Sequence, residues 1–100
     1  MYRGTTPTLT FTLPIAGKSI TALNLSFGQK GQLLLEKTLA DCLVEDTALQ
    51  VTLTEQDTLL FDDKQGMVEM QLRVGCGETK MASNIMRMSV ERILKDGCLV

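Results

Sequence analysis

Four carboxylates stand close together in this chain: Glu55, Asp57, Asp62 and Asp63. Paired carboxylates can divide general acid and general base work when a pocket separates their pKa values. Clustered carboxylates also offer calcium hard oxygen ligands, although the fixed loop spacing of an EF-hand is missing. The third reading is a solvated turn. The other group with reactive potential is Cys76, in Gly75-Cys76-Gly77-Glu78. A thiolate nucleophile needs a base or a positive neighbourhood to lower its pKa, and the chain has no histidine. Cys42 and Cys98 read as small apolar residues. Three cysteines at irregular spacing form neither a disulfide framework nor a zinc pattern. No glycine run cradles a phosphate ahead of a helix, and no serine–lysine or triad pattern is visible. The expectation is a chain with no catalytic residue, no cofactor and no enzymatic activity.

The elements that must carry these residues alternate with a period of two. Leu9, Phe11 and Leu13 alternate with Thr8, Thr10 and Thr12, which predicts a half-buried strand. Pro14 and Gly17 close it. Leu23, Leu25 and Phe27 predict a second strand, and Gly28–Gly31 a turn. The run QLLLEKTL predicts a third strand with Leu33 and Leu35 inward and Leu34 outward or on a second interface. Asp41–Glu45 is a short strand candidate and Glu45–Ala48 a turn. Leu49, Val51 and Leu53 follow with the same alternation, then Val68, Met70, Leu72 and Val74, the clearest in the chain. Gly75–Glu78 supplies a hairpin turn before a strand on Met86, Met88 and Val90. About seven strands spaced by turn signals fit an all-β, two-layer antiparallel sandwich. It fills a single domain, 1–100, with 92–100 as a loose C-terminal tail.

The acids lie where one strand gives way to the next, in VTLTEQDTLLF (Val51–Phe61). Thr54 can cap a helix through its hydroxyl, and Asp57 stands at the third position of a capping box. Glu55 and Asp57 suit the positive end of a helix. No apolar stripe recurs, so one short helical turn is expected near 54–60, too short to cover a parallel sheet. Immunoglobulin-like sandwiches carry a similar turn, with an Asp-Thr pair, between two core strands, and LTEQDT before VEMQLRV resembles that arrangement.

One hundred residues can fold on one core without metal or disulfide. With no Trp, that core is aliphatic. The net charge of −2 argues against nucleic acid as a partner. Residues 41–63 hold seven acids and no base, whereas residues 1–40 hold one acid, Glu36, and four bases. Such an asymmetry suits either solvated loops or a head-to-tail contact between copies. MYRGTTPTLT has no apolar core, so no signal peptide is expected, and no apolar run approaches the roughly 20 residues of a membrane span. An odd number of cysteines at irregular spacing favours a reducing compartment.

Two sets of residues suggest contacts with other proteins. Met67 and Met81 fall at strand ends, where adaptable side chains can meet a partner. Thr8, Thr10 and Thr12 lie on TPTLTFTL, which reads as an edge or exchanged strand.

YRGTTPTLTFTLP (Tyr2–Pro14), ITALNLSFGQKGQLLLEK (Ile20–Lys37), VTLTEQDTLLF and MQLRV (Met70–Val74), followed by SNIMRMSVERIL (Ser83–Leu94), together resemble a family of small prophage-encoded proteins of Firmicutes. Its genes sit among those for tail and baseplate. A looser resemblance is to the N-terminal sandwich domain of phage baseplate upper proteins. The resemblance implies a structural module of the virion that contacts other tail or baseplate proteins, or itself, and carries no catalytic residue. The resemblance also implies that it would be made in the bacterial cytoplasm and pass into the particle, in its tail or baseplate. Baseplate upper proteins continue into receptor-binding parts and this chain ends after its sandwich, so an assembly adaptor is the closer expectation. The alternative is an immunoglobulin-like adhesion module that binds a glycan or calcium in the acidic 55–63 region.

Overall fold

The computed structural model describes residues 1–99. It folds into two antiparallel sheets facing one apolar core. The strands are β1 (Thr8–Thr12), β2 (Ala22–Gln29), β3 (Gln32–Thr38), β4 (Leu43–Glu45), β5 (Ala48–Thr52), β6 (Val68–Cys76), β7 (Thr79–Ala82) and β8 (Met86–Met88), with one α-helix, α1 (Glu55–Leu59), between β5 and β6. The smaller sheet has the order β1-β5-β4 and the larger β3-β2-β6-β7, with β8 also on β6. The all-β sandwich expected from the alternation is therefore what forms.

The core comes from the inward positions of both sheets. Leu49 and Val51 on β5 face Leu25 and Phe27 on β2 and Val68, Met70, Leu72 and Val74 on β6, all buried. Leu13, Leu53 and Phe61 add buried side chains from the connections. Phe27 and Phe61 meet with ring centroids 6.0 Å apart. Residues on the opposite positions face solvent, as a sheet covered on one face requires.

Three details depart from the alternation. On β3, Leu33 is exposed, while Leu34 packs against the core beside Leu35. The cause is a bulge: Phe27 pairs with Leu35 but Gly28 with Leu33, so one extra residue stands on β3. An extra residue reverses which face each later side chain takes. Gly28 permits the bulge, because a Cβ there would lie 2.7 Å from the Gln32 carbonyl oxygen. The turn that follows is only Lys30-Gly31, both with positive φ (48° and 77°), as a two-residue hairpin loop demands.

The second departure is the strand count, eight rather than about seven. Gly75 and Cys76 belong to β6, and the turn is Gly77-Glu78. Strand β7 was not anticipated. It and β8 are one edge strand with a bulge between them: Ala82 pairs with Arg73, but Met86 with Met70. Ser83 mends the gap, its N–H donating to the Leu72 carbonyl at 2.8 Å and its hydroxyl accepting from the Leu72 N–H at 3.0 Å.

The third is the C-terminal segment. Residues 92–99, the described part of the tail expected over 92–100, form no strand and are mostly exposed, with two contacts to the rest of the domain; residue 100 lies outside the described residues. The Asp96 carboxylate pairs with the Arg3 guanidinium, and the Leu99 N–H donates to Glu55 Oε2 at 2.7 Å. Just before them, Tyr2 bridges Glu91 in parallel.

Candidate functional site

The acidic cluster is built into the corner at α1. Thr54 and Asp57 form a full capping box: the Thr54 hydroxyl accepts from the Asp57 N–H at 3.1 Å, and Asp57 Oδ2 accepts from the Thr54 N–H at 2.9 Å. The same carboxylate meets Lys37 Nζ of β3 at 2.8 Å, with both side chains shielded (15% and 14% exposed). Burial pushes the Asp57 carboxyl up, but the Lys37 ammonium and the Thr54 N–H outweigh it and hold the group below its ordinary value. Asp62 accepts from the Lys64 N–H at 2.8 Å. Glu55 is engaged by Leu99. Among the described residues, no three acidic, cysteine or histidine side chains converge on a point where a metal ion could sit. Three of the four carboxylates, Glu55, Asp57 and Asp62, are thus engaged within the corner rather than gathered on one ligand point.

Arg3, Gly4 and Thr5 close over this corner. The Arg3 guanidinium donates from Nε to the Phe61 carbonyl (2.7 Å) and from Nη2 to the Leu59 carbonyl (3.2 Å), satisfying acceptors at the C-terminal end of α1. The fully buried Thr58 hydroxyl donates to the Thr5 carbonyl (3.0 Å) and accepts from the Thr5 N–H (3.1 Å). From the other side, Gln29 clamps the loop after α1. Its amide donates to the Asp62 and Gly66 carbonyls (2.8 and 3.1 Å) and accepts from the Asp62 N–H (2.8 Å). Read as one residue of a polar turn, Gln29 showed no sign of this role. Its place on the inward side of β2 was the available signal, since it lies two residues past Phe27.

The cysteines do not assemble a site. All three are free. The Cys42 thiol donates to the Thr38 carbonyl at 3.3 Å. Burial first, and the Asp41 carboxylate second, push its pKa up, away from a reactive thiolate.

The residues proposed for protein contacts separate into two groups. Met67 is exposed just ahead of β6. Met81 is half-buried against the core and pairs with Val74 near the far end of the same strand. The two methionines therefore share no surface. Thr8, Thr10 and Thr12, by contrast, stand together and exposed on β1, the edge of the smaller sheet. At one end of β1, an apolar cleft of about 490 Å³ opens between the sheets, lined by Leu13, Pro14, Leu72, Val74 and Met81.

The backbone of β1 faces two ways. Leu53 N–H donates to the Pro7 carbonyl and Leu13 N–H to the Thr47 carbonyl, so the odd-numbered residues exchange bonds with β5. In an antiparallel ladder, alternate residues point their polar groups to opposite sides. The N–H and C=O groups of Thr8, Thr10 and Thr12 therefore point off the sheet, and no described residue pairs with them.

Compared with family models, curated proteins and solved structures, the chain matches none of them. No helix among the described residues is long and apolar enough to cross a membrane.

Proposed function

We propose that this chain is a non-enzymatic assembly module of a phage or prophage tail or baseplate, acting through contacts with other tail proteins or with itself. The observation that carries this reading is the open β1 edge beside an apolar cleft, which offers a partner backbone hydrogen bonds and apolar surface together. The strand order supports it. Taking β1, β5 and β4 as strands B, E and D, and β3, β2, β6 and β7–β8 as C′, C, F and G, gives the order of a variable-type immunoglobulin sandwich. The place of strand A beside β1 is then taken by none of the described strands. The likeness of Tyr2–Pro14 and the later stretches to small prophage proteins supplies the phage setting. The module would be made in the bacterial cytoplasm and carried into the particle.

The test is genetic. Deleting the coding sequence from an inducible prophage should yield particles with missing or misassembled tail tips by electron microscopy, and lost infectivity. A normal yield of infectious particles would overturn the reading. The adhesion alternative draws no support from the corner, where the Asp57 carboxylate is already spent on Thr54 and Lys37.

A further inference from the structure

Sheet edges invite pairing, and proteins blunt them with charge, brevity, bulges or proline. Three edges here are blunted. Strand β3 is bulged and carries Glu36 and Lys37. The β7–β8 edge is broken at Ser83 and carries Lys80 and Arg87. Strand β4 is three residues long and ends in Glu45. Strand β1 has none of these along its length. Its register with β5 is unbroken from Thr8 to Thr12, and residues 4–17 contain no charge at all.

We propose that β1 pairs antiparallel with β1 of a second copy across a two-fold axis at Thr10, joining two three-stranded sheets into one. The proposal deepens the assembly reading above and rests on it. Two observations select a second copy as the occupant. The first is that the sequence is nearly palindromic about Thr10: Leu9 and Phe11 exchange, Thr8 and Thr12 exchange, and Pro7 falls opposite Leu13. An isologous contact requires this self-complementarity. The second is the direction of the free backbone groups. A two-fold axis at Thr10 sets Thr8 opposite Thr12 of the second copy, and Thr10 opposite its own counterpart. The N–H and C=O groups that point off the sheet are those of these three residues, so every one of them finds a partner. An axis at Leu9 would set Thr12 opposite Thr6, outside β1, and an axis at Phe11 would set Thr8 opposite Pro14, which has no N–H to donate.

Side chains agree with that register. On the outer face it gives a ladder of threonines, and on the inner face Leu9 meets Phe11 of the second copy, extending the apolar layer. With no charge on either strand, no like charges oppose each other, a condition that β3 or β7 could not meet at every axis position.

The test is sedimentation equilibrium of the full chain over a wide concentration range, with Thr10→Lys as the variant. The wild type should form a dimer that dissociates on dilution. Thr10→Lys sets two ammonium groups opposite each other at the axis and should be monomeric throughout. Its unfolding at low concentration should match the wild type, since Thr10 is exposed and makes no bond to β5 through its side chain. Mixing Thr10→Lys with Thr10→Glu in equal amounts should restore the dimer. A second measurement needs no variant: amide exchange at Thr8, Thr10 and Thr12 should slow as concentration rises. A wild type that stays monomeric overturns the proposal. So does a Thr10→Lys that associates as well as the wild type, or a dimer in which those three amides exchange freely. Any of these leaves the deletion phenotype standing, and normal particles after deletion would leave the dimer standing, so the two readings fail separately.

Discussion

The α1 corner and the β1 edge lie on the same domain and treat polar groups in opposite ways. At the corner, nearly every donor and acceptor is consumed: Thr54 and Asp57 cap each other, Lys37 pairs with Asp57, Arg3 holds the Leu59 and Phe61 carbonyls, and Gln29 fastens Asp62 and Gly66. At the edge, Thr8, Thr10 and Thr12 offer backbone groups that no described residue takes up. The charges follow the same division. The corner gathers acids and binds several of them, while the edge has no charge. The lesson is that clustered carboxylates in this sequence mark a joint, whereas the plain threonine strand marks the surface left free for another molecule.

The contrast can be broken most forcefully at Gln29. Its side chain is buried (3% exposed) and makes three hydrogen bonds to the loop after α1. Gln29→Leu keeps the volume but leaves the Asp62 N–H and two carbonyls without partners. Stranding buried polar groups costs about 1–3 kcal/mol per group, and the loop can turn some of them to water. The expected loss is about 2–3 kcal/mol by urea unfolding. A loss under about 0.5 kcal/mol, ordinary for a surface change, would mean that Phe61 packing alone holds the loop.

The cap carries a smaller effect than the Gln29 clamp. Thr54→Ala removes the hydroxyl that accepts from Asp57 and should cost about 1 kcal/mol. Acid tests the same corner through Asp57. Its folded pKa is depressed, so its contribution is fully present above the unfolded value of about 3.9 and is lost as pH falls through the lower folded value. Stability should therefore decline on acidification below about pH 4, and Asp57→Asn should lose less over that range than the wild type. Some decline should persist in the variant. The Thr38 N–H holds Asp41 down, and the N-terminal ammonium beside Glu91 holds that carboxyl down, both in the same direction.

The parts of this structure that were legible in the sequence are those governed by period two and by capping chemistry. Leu23, Leu25, Phe27, Leu49, Val51, Leu53 and the β6 residues are buried as their alternation required. Thr54 and Asp57 announced α1 because a capping box is local, needing only residues three apart. What escaped was non-local or off-period. The β3 bulge depends on Gly28 fitting against Gln32 across a hairpin, and no alternation rule carries that. Strand β7 reads TKMA, with one apolar residue to face inward, so it gave almost no periodic signal. Arg3 reaches carbonyls 56 and 58 residues away, a distance at which spacing says nothing. The threonines of β1 were legible as an edge, but the direction of their backbone groups required the register with β5.

The smallest effect is the sharpest comparison, because it makes one substitution in two places. Thr58 and Thr8 both bond through their hydroxyls. Thr58 is wholly buried and joins Thr5 to α1; Thr8 is exposed and meets the Thr52 hydroxyl at 2.9 Å across the β1–β5 pair. Replacement by Val preserves shape in each case. At Thr58 it removes the hydroxyl that bridges α1 to the partly shielded Thr5 N–H and carbonyl, and should cost about 1–3 kcal/mol. At Thr8 water takes over at once, and an exposed cross-strand threonine pair is worth only about 0.2–1 kcal/mol. Since Val suits a strand well, the net change at Thr8 should fall at the low end of that range, measured in dilute protein where copies are apart. If Thr8→Val proved as damaging as Thr58→Val under dilution, the edge would be a structural element of the single chain. If instead its effect appeared only at high concentration, the outward threonines would matter between copies, and the division between joint and edge would hold.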